Sequence, residues 1–405
     1  MKPEEIVPSL VPFLIVMIVV QAMMAGTFNA AGVLAPVAAP ELGVSVAMLG
    51  PYSGVWGLAS LAGGMLIDGV LRRYGAARTL QIAVIVTAAG MLCGATGNLF
   101  FVALSSIVVG FGSGMLMPCA IHLVARVTPP EKSGLVIAIN QCGIPAGYGL
   151  AGVAIPLLLT VMHWRWSLVA LAVALLLMVP LIQIMREGLD SDRDPAAPLA
   201  GKAFVEPALM AWNTPKLRLM GWLTFSCMTV QMTAITYMVS YVKIELGFSH
   251  LAAGTALFVS QLAAIFARLF FGWALDRSGR HLLVTGILAT GSGLSAFTLG
   301  MATSNWSYAA VIAAAAFCGT FVMGWNGAYF ATVSKFAPPG RQGTAVGGTQ
   351  IFTMVGGTAG PIMFASVLGM TGHYGWGFIL VSAFSFVMGL RLLWMDRREA
   401  AQGNG

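Results

Sequence analysis

The sequence predicts an all-α membrane protein with twelve transmembrane helices in two six-helix repeats. Of its 405 residues, 58% are hydrophobic and only 9% are charged, whereas soluble domains carry about a quarter charged residues. Long apolar runs recur along the whole chain, and sequence motifs of the first half return in the second. This composition excludes an ordinary soluble protein.

The apolar runs supply the predicted helices one by one. A helix needs about 20 apolar residues to cross a bilayer. The first run is about twice as long as the apolar core of a signal peptide, so we assign it as helix 1. Twelve such runs lie near residues 10–35, 46–67, 79–99, 101–125, 133–160, 166–185, 219–242, 251–275, 282–301, 307–334, 343–370 and 376–394.

The basic residues predict how these helices are oriented. Cytoplasmic loops of membrane proteins are enriched in Lys and Arg. With both termini inside, 18 of the 21 Lys and Arg residues fall on the cytoplasmic side, and only Arg165 and Lys243 fall outside. We therefore expect an inner-membrane protein with both termini in the cytoplasm. The net charge of +7 follows from this topology and does not indicate nucleic-acid binding.

One long polar stretch divides the helices into two sets of six. It predicts an N-terminal bundle at 1–186, a cytoplasmic linker at 187–217 and a C-terminal bundle at 218–405. Equal spacings between motifs then indicate an internal repeat. The paired motifs are Glu41-Leu-Gly with Glu245-Leu-Gly, Gly64-Met-Leu-Ile-Asp68 with Gly272-Trp-Ala-Leu-Asp276, Gly134 and Gln141 with Gly343 and Gln350, and His163-Trp-Arg-Trp166 with His373-Tyr-Gly-Trp376.

Parallel six-helix repeats joined by a cytoplasmic loop resemble the major facilitator superfamily over the whole chain. The family's loop signature is complete as Gly272-Trp-Ala-Leu-Asp276-Arg277-Ser-Gly279-Arg280, while the first-half copy has a longer loop after Asp68. The resemblance implies rocker-switch alternating access. Carboxylates and arginines at helix ends can close one face of such a transporter, so we expect gating roles for Asp68, Asp276, Arg277 and Arg280. Alternatively, these residues only fix loops.

Arg268 is the one basic residue assigned to neither side of the membrane, because it lies well inside the predicted span 251–275. Such a charge costs about 2.5–3.5 kcal/mol at a helix centre and marks a functional candidate. All fourteen acidic residues lie in loops or at helix ends, so a carboxylate of the substrate is the partner we expect. Gln261 lies two turns earlier on the same face. The alternative is that Arg268 extends its guanidinium to the cytoplasmic surface.

Two aromatic residues of helix 10, Trp325 and Tyr329, lie four apart and therefore on one face. With Asn326 beside them, they suit a cavity wall for a small planar anion. Arg268 is similar to an arginine of the oxalate:formate antiporter and the monocarboxylate porters, which also stands four residues before the loop glycine. The oxalate transporter in addition has a Trp and a Tyr four apart on helix 10. The oxalate transporter has a second basic residue, a lysine on helix 11, whereas the predicted helix 11 of this chain has none. One cationic anchor instead of two favours a monoanion over a dianion.

Three further amides are candidate substrate ligands: Gln141, Gln350 and Asn29. Hydrogen bonding between helices accounts for them equally well. The five cysteines lack paired spacing and the five histidines are scattered, so we predict no metal, no cofactor and no enzyme activity.

These observations together predict a secondary active or facilitative transporter of a small organic anion. The alternatives are efflux of drugs or metabolites, and transport of a small inorganic anion such as nitrate or cyanate. We expect a monomer in the lipid bilayer, with a proton as a possible co-transported partner.

Overall fold

The computed structural model describes residues 9–128, 136, 139–191, 193–196, 205–338 and 341–402, and every regular element in these ranges is helical. The first half contains α1 to α8. A 3₁₀ turn at Val46–Met48 precedes α2. These helices are α1 (Leu10–Glu41), α2 (Leu49–Tyr74), α3 (Ala76–Ala95), α4 (Leu99–Val127), α5 (Gly143–Leu158), α6 (Trp164–Leu176), α7 (Met178–Ile184) and α8 (Arg186–Leu189).

The second half contains α9 to α16. A π-helical turn at Tyr241–Glu245 follows α10. These helices are α9 (Val205–Asn213), α10 (Pro215–Ser240), α11 (His250–Ser278), α12 (His281–Gly300), α13 (Tyr308–Val322), α14 (Trp325–Phe336), α15 (Gln342–Thr371) and α16 (Tyr374–Gln402).

Ten stretches of helix in the described residues are long and apolar enough to span a membrane. The all-helical membrane character predicted from the sequence is therefore confirmed, while the count of twelve remains a prediction. The expected spans at 46–67 and 219–242 are also helical, as α2 and α10, but neither is among the ten. In α10 the reason is composition, because Thr, Ser and Gln side chains interrupt its apolar residues.

The chain divides into two compact units. The first unit contains Met1–Val44 and Val55–Lys202, and the second contains Ser45–Gly54 and Ala203–Gly405. Within the first unit, buried Asp190 accepts hydrogen bonds from the backbone N–H groups of Ala77 and Arg78, at 2.8 and 3.2 Å. It thereby caps the N-terminus of α3. The stretch expected to be a plain linker thus contributes a buried carboxylate.

Equivalent ion pairs form in the two units from the motifs that repeat in sequence. In the first unit, Glu41 accepts hydrogen bonds from Trp164 Nε1 at 2.6 Å and Arg165 Nη2 at 2.6 Å. In the second unit, Glu245 accepts a bond from the backbone N–H of Tyr374, and its carboxylate lies 3.8 Å from His373 Nδ1. Glu41 thus joins the end of α1 to the start of α6, and Glu245 joins the turn after α10 to the start of α16.

Three of the expected spans are interrupted helices. The span expected at 166–185 has a turn at Leu177, between α6 and α7. The span expected at 133–160 has a turn at Cys142, immediately before Gly143-Ile-Pro145. The span expected at 307–334 has a turn at Met323-Gly324, which separates α13 from α14. In contrast, α15 continues through Pro361. An interruption leaves backbone carbonyls without their usual intrahelical donors, and one of these carbonyls belongs to the candidate site.

Candidate functional site

Arg268 lies at the interruption between α13 and α14. It is half-buried on α11, and its Nε donates a hydrogen bond to the carbonyl oxygen of Met323 at 3.1 Å. Asn326 Nδ2 donates to the same oxygen at 3.4 Å. The structure therefore brings two predicted site residues to one backbone atom. A guanidinium carries five N–H groups, so the bond from Nε is compatible with binding of an anion.

Trp325 and Tyr329 lie in the apolar core of the second unit. Their rings pack edge to face, with centroids 5.4 Å apart, as their spacing on one helical face predicts. Trp325 Nε1 donates to Gln231 Oε1 at 2.9 Å, and the Tyr329 hydroxyl donates to Thr349 Oγ1 at 2.6 Å. The two residues are 1% and 0% exposed. Both polar groups are thus engaged by neighbouring side chains, and their predicted contact with substrate remains a prediction.

Gln261 is the buried amide of this unit whose polar atoms lack partners. It is 1% exposed, and neither Nε2 nor Oε1 has a hydrogen-bond partner in the described part of the chain. Burial of an amide without hydrogen bonds costs about 1–3 kcal/mol in proteins. A residue kept at that cost is a candidate for binding a polar ligand. Gln350, predicted alongside it, is half-buried on α15.

The first unit contains its own group of predicted and unpredicted polar residues. Asn29 is buried, and its Nδ2 donates to the carbonyl of Tyr148 at 3.3 Å. Gln141 Nε2 donates to the sulfur of Met117 at 3.2 Å. Gln21, which the sequence analysis did not select, is fully buried, and neither of its amide atoms has a partner among the described residues.

An aromatic group lies beside Asn29 in the same unit. The Phe28 ring packs against Trp56 and Tyr148, with centroid distances of 4.0 and 6.0 Å. The indole Nε1 of Trp56 is buried without a partner in the described residues. Aromatic faces next to an unsatisfied donor are typical of small-molecule sites.

Three of the four residues predicted to gate transport lie at helix ends, and the fourth, Asp68, lies within α2. Asp276 and Arg277 are exposed in the last turns of α11. Arg280 forms an ion pair with Asp396 of α16, inside the second unit. The side chain of Asp68 lies outside what the structure describes. Their gating role remains a prediction.

Sequence reasoning did not select Gln231, Gln21 or the Met323 carbonyl. The two glutamines had a visible signal, because each is an amide within a long apolar helix. The carbonyl had a weaker one, namely the glycine at position 324. The hydrogen bond from Arg268 to the Met323 carbonyl depends on where helix 10 is interrupted. The apolar pattern of the sequence does not predict that position.

The fold and these residues define a class of protein. Multi-pass membrane transporters combine apolar spanning helices, some of them interrupted, with buried polar side chains. The described residues of this chain have all three features. Residues 16–361 match the Major Facilitator Superfamily. The chain belongs to this superfamily, and it is a transporter rather than an enzyme.

Relatives and solved structures agree with this assignment. The chain is 23% identical over 389 residues to the 4-hydroxybenzoate transporter PcaK of Acinetobacter baylyi, across 87% of this chain and 82% of that protein. It is 33% identical over 97 residues to a multidrug resistance protein B homolog of Mycobacterium tuberculosis, across 23% and 18% of the two chains. A POT family transporter crystallised with 5-aminolevulinic acid has the same fold, with a TM-score of 0.76, 11% identity and coverage of 95% and 96%.

Proposed function

We propose that this protein transports a small organic anion, specifically a monocarboxylate, by rocker-switch alternating access with Arg268 as the anion anchor. The observation that carries the proposal is Arg268 itself. It lies half-buried within a candidate spanning helix, and its described hydrogen bond goes to a neutral backbone carbonyl at an interrupted helix. The guanidinium is planar and carries five N–H groups. It can bind a carboxylate through two parallel, charge-assisted hydrogen bonds.

The relative named for 4-hydroxybenzoate supports the choice of a carboxylate. That compound is an aromatic ring with one carboxyl group, and so is a monoanion at neutral pH. Within the second unit, the buried amide of Gln261, on the same helix as Arg268, suits a polar substituent of such a compound. We therefore infer a substrate with one carboxylate and a planar apolar body.

Efflux of drugs is the second candidate function. It is favoured by the local similarity to a multidrug resistance protein B homolog. That similarity covers 23% of this chain. In addition, an arginine within the spanning region repels cationic cargo. Efflux of a neutral or anionic compound remains compatible with Arg268.

The gate and the energy coupling follow from the charges at helix ends and from the acidic residues. We propose that Asp276, Arg277 and Arg280, with Asp68 in the first half, control opening of the cytoplasmic face. The twelve apolar spans predicted from the sequence contain no carboxylate, which favours exchange, facilitated movement or symport in which the proton is carried on the substrate. Asp276→Asn is then expected to slow uptake far more than it weakens substrate binding.

A ligand series tests the proposed substrate class. We expect benzoate and 4-hydroxybenzoate to raise the thermal unfolding midpoint of the purified protein, because a ligand that binds only the folded state stabilises it. Benzamide has the same ring without a charge and serves as the matched control. Equal stabilisation by benzamide and benzoate would contradict a site built around a carboxylate, and stabilisation by lipophilic drugs alone would favour efflux.

A further inference from the structure

A charged cavity lies at one end of the second unit, away from Arg268. It has a volume of about 550 Å³, which is within the usual range for ligand sites. The ends of four helices of one unit surround it, so its shape depends on that unit alone. Its charged and polar lining consists of Lys216, Arg280, His281, Lys335, Asp396 and Glu399.

The cations of this cavity are not all neutralised by its carboxylates. Lys216 is paired with Glu399 at 3.4 Å, and Arg280 is paired with Asp396. Lys335 is exposed and has no ion-pair partner in the described part of the chain. The cavity therefore retains a positive charge that a bound anion can neutralise.

Two sets of hydrogen-bond donors accompany Lys335. The cavity is also lined by His281, the first residue of α12. The N-terminus of α12 has no capping side chain and no acidic residue in its first turn. Backbone N–H groups at such a terminus bind oxyanions, above all phosphate.

Tryptophans place this cavity at the depth of lipid head groups. Exposed Trp residues concentrate where a membrane meets water. Trp394 is 51% exposed two residues before Asp396, and the guanidinium of Arg398 lies 3.7 Å from its ring centroid. Trp212 is 50% exposed four residues before Lys216. The cavity mouth is therefore accessible to the phosphate of a membrane lipid.

We propose that this cavity binds a phosphate-bearing anion through Lys335, His281 and the N-terminus of α12. The source favoured by its depth is the head group of an anionic phospholipid, since clusters of basic residues at a membrane surface attract such lipids. The other source of the same chemistry is free phosphate. The proposal is independent of which substrate the protein transports.

Native mass spectrometry of the purified full-length protein tests the site. We expect dioleoylphosphatidylglycerol to bind more tightly than dioleoylphosphatidylcholine, because only the former carries a net negative charge. The double variant Lys335→Gln/His281→Gln is expected to weaken phosphatidylglycerol binding by about tenfold, since each lost contact is a hydrogen bond to a charged group. Arg397→Gln removes an exposed arginine next to the cavity and is the matched control, with a change of less than about twofold.

Inorganic phosphate distinguishes the two sources. The ligand is the free anion if three results coincide. Millimolar sodium phosphate stabilises the parent protein against heat, the double variant abolishes this stabilisation, and the parent protein binds the two phospholipids equally. Equal affinity for phosphatidylglycerol in the double variant and in Arg397→Gln, with no phosphate effect, would overturn the proposal. If the double variant does not fold, Lys335→Gln alone gives the same comparison, because its side chain is exposed.

Discussion

At the scale of single residues, the protein combines a charge with amides in an apolar setting. Arg268 reduces its insertion cost of about 2.5–3.5 kcal/mol by donating to the Met323 carbonyl. The bond is made by Nε, one of the five N–H groups of the guanidinium. Gln261 is the opposite case, since it is uncharged yet buried without a described partner. We interpret both as residues whose unfavourable burial serves binding.

Gln261→Met tests this interpretation of the buried amide. Methionine has nearly the same length and no group that needs a hydrogen bond, so we expect the free energy of unfolding to rise by about 1–3 kcal/mol. Substrate uptake is expected to fall at the same time, as is common when a functional site is stabilised. Thermal unfolding and uptake by the same preparation measure both. A less stable variant with unchanged uptake would show that Gln261 has only a packing role.

At the scale of helices, the interrupted segments decide what the sequence could and could not predict. Apolar runs predicted most helices, and the four-residue spacing predicted that Trp325 and Tyr329 share a face. The pattern did not predict that this face enters the core of the second unit, because apolar residues also occur on the other faces of the helix. The hydrogen bonds to Gln231 and Thr349 depend on neighbouring helices that are distant in sequence.

Close helix crossings at glycine make a second, independent prediction at this scale. A Cβ atom at Gly319 of α13 would lie 1.8 Å from the backbone oxygen of Ser260 on α11, so alanine cannot fit without moving one of the two helices. Because α11 carries Arg268, we expect Gly319→Ala to lower both the unfolding midpoint and uptake.

Gly369→Ala is the matched control for that substitution. Nothing lies within 4 Å of a Cβ at Gly369 of α15, so alanine there is expected to be neutral or to stabilise by up to about 1 kcal/mol. Size-exclusion profiles and thermal unfolding compare the two variants. Similar behaviour of Gly319→Ala and Gly369→Ala would contradict the close crossing.

At the scale of the whole molecule, the protein family is established and the membrane orientation is a prediction. Membership of the Major Facilitator Superfamily is established by the match over residues 16–361, and the paired contacts of Glu41 and Glu245 agree with a repeat read from the sequence. Orientation in the membrane still rests on the distribution of Lys and Arg. The sequence predicted the class of protein well, because composition and repeats are properties of the entire chain.

The predicted orientation has a direct test. We expect the termini and the linker at 187–217 to face the cytoplasm, because 18 of 21 basic residues would otherwise lie outside. A cysteine introduced at Lys202, in a variant without the five native cysteines, should react with a membrane-impermeant maleimide only after the cells are opened. The same cysteine placed at Lys243 is the control and should react in intact cells. Labelling of position 202 in intact cells would contradict the predicted orientation and indicate the opposite one.

The central claim is that the charge of Arg268 anchors a carboxylate, and glutamine at this position separates charge from structure. Arg268→Gln can still donate a hydrogen bond to the Met323 carbonyl, so we expect it to fold. It lacks the charge, and loss of a desolvated charge pair costs about 2–5 kcal/mol, or at least about thirtyfold in affinity. Arg268→Lys keeps the charge without the two-pronged geometry and is expected to bind weakly.

Uptake of radiolabelled 4-hydroxybenzoate into proteoliposomes, measured beside its binding, is the most direct test of this claim. Arg391→Gln, which removes an exposed arginine from α16, is the control for loss of one positive charge. We expect normal uptake by Arg391→Gln, weak uptake by Arg268→Lys and no uptake by Arg268→Gln, with similar unfolding midpoints for all three variants. Near-normal binding and uptake by Arg268→Gln would contradict the role of Arg268 as the anion anchor.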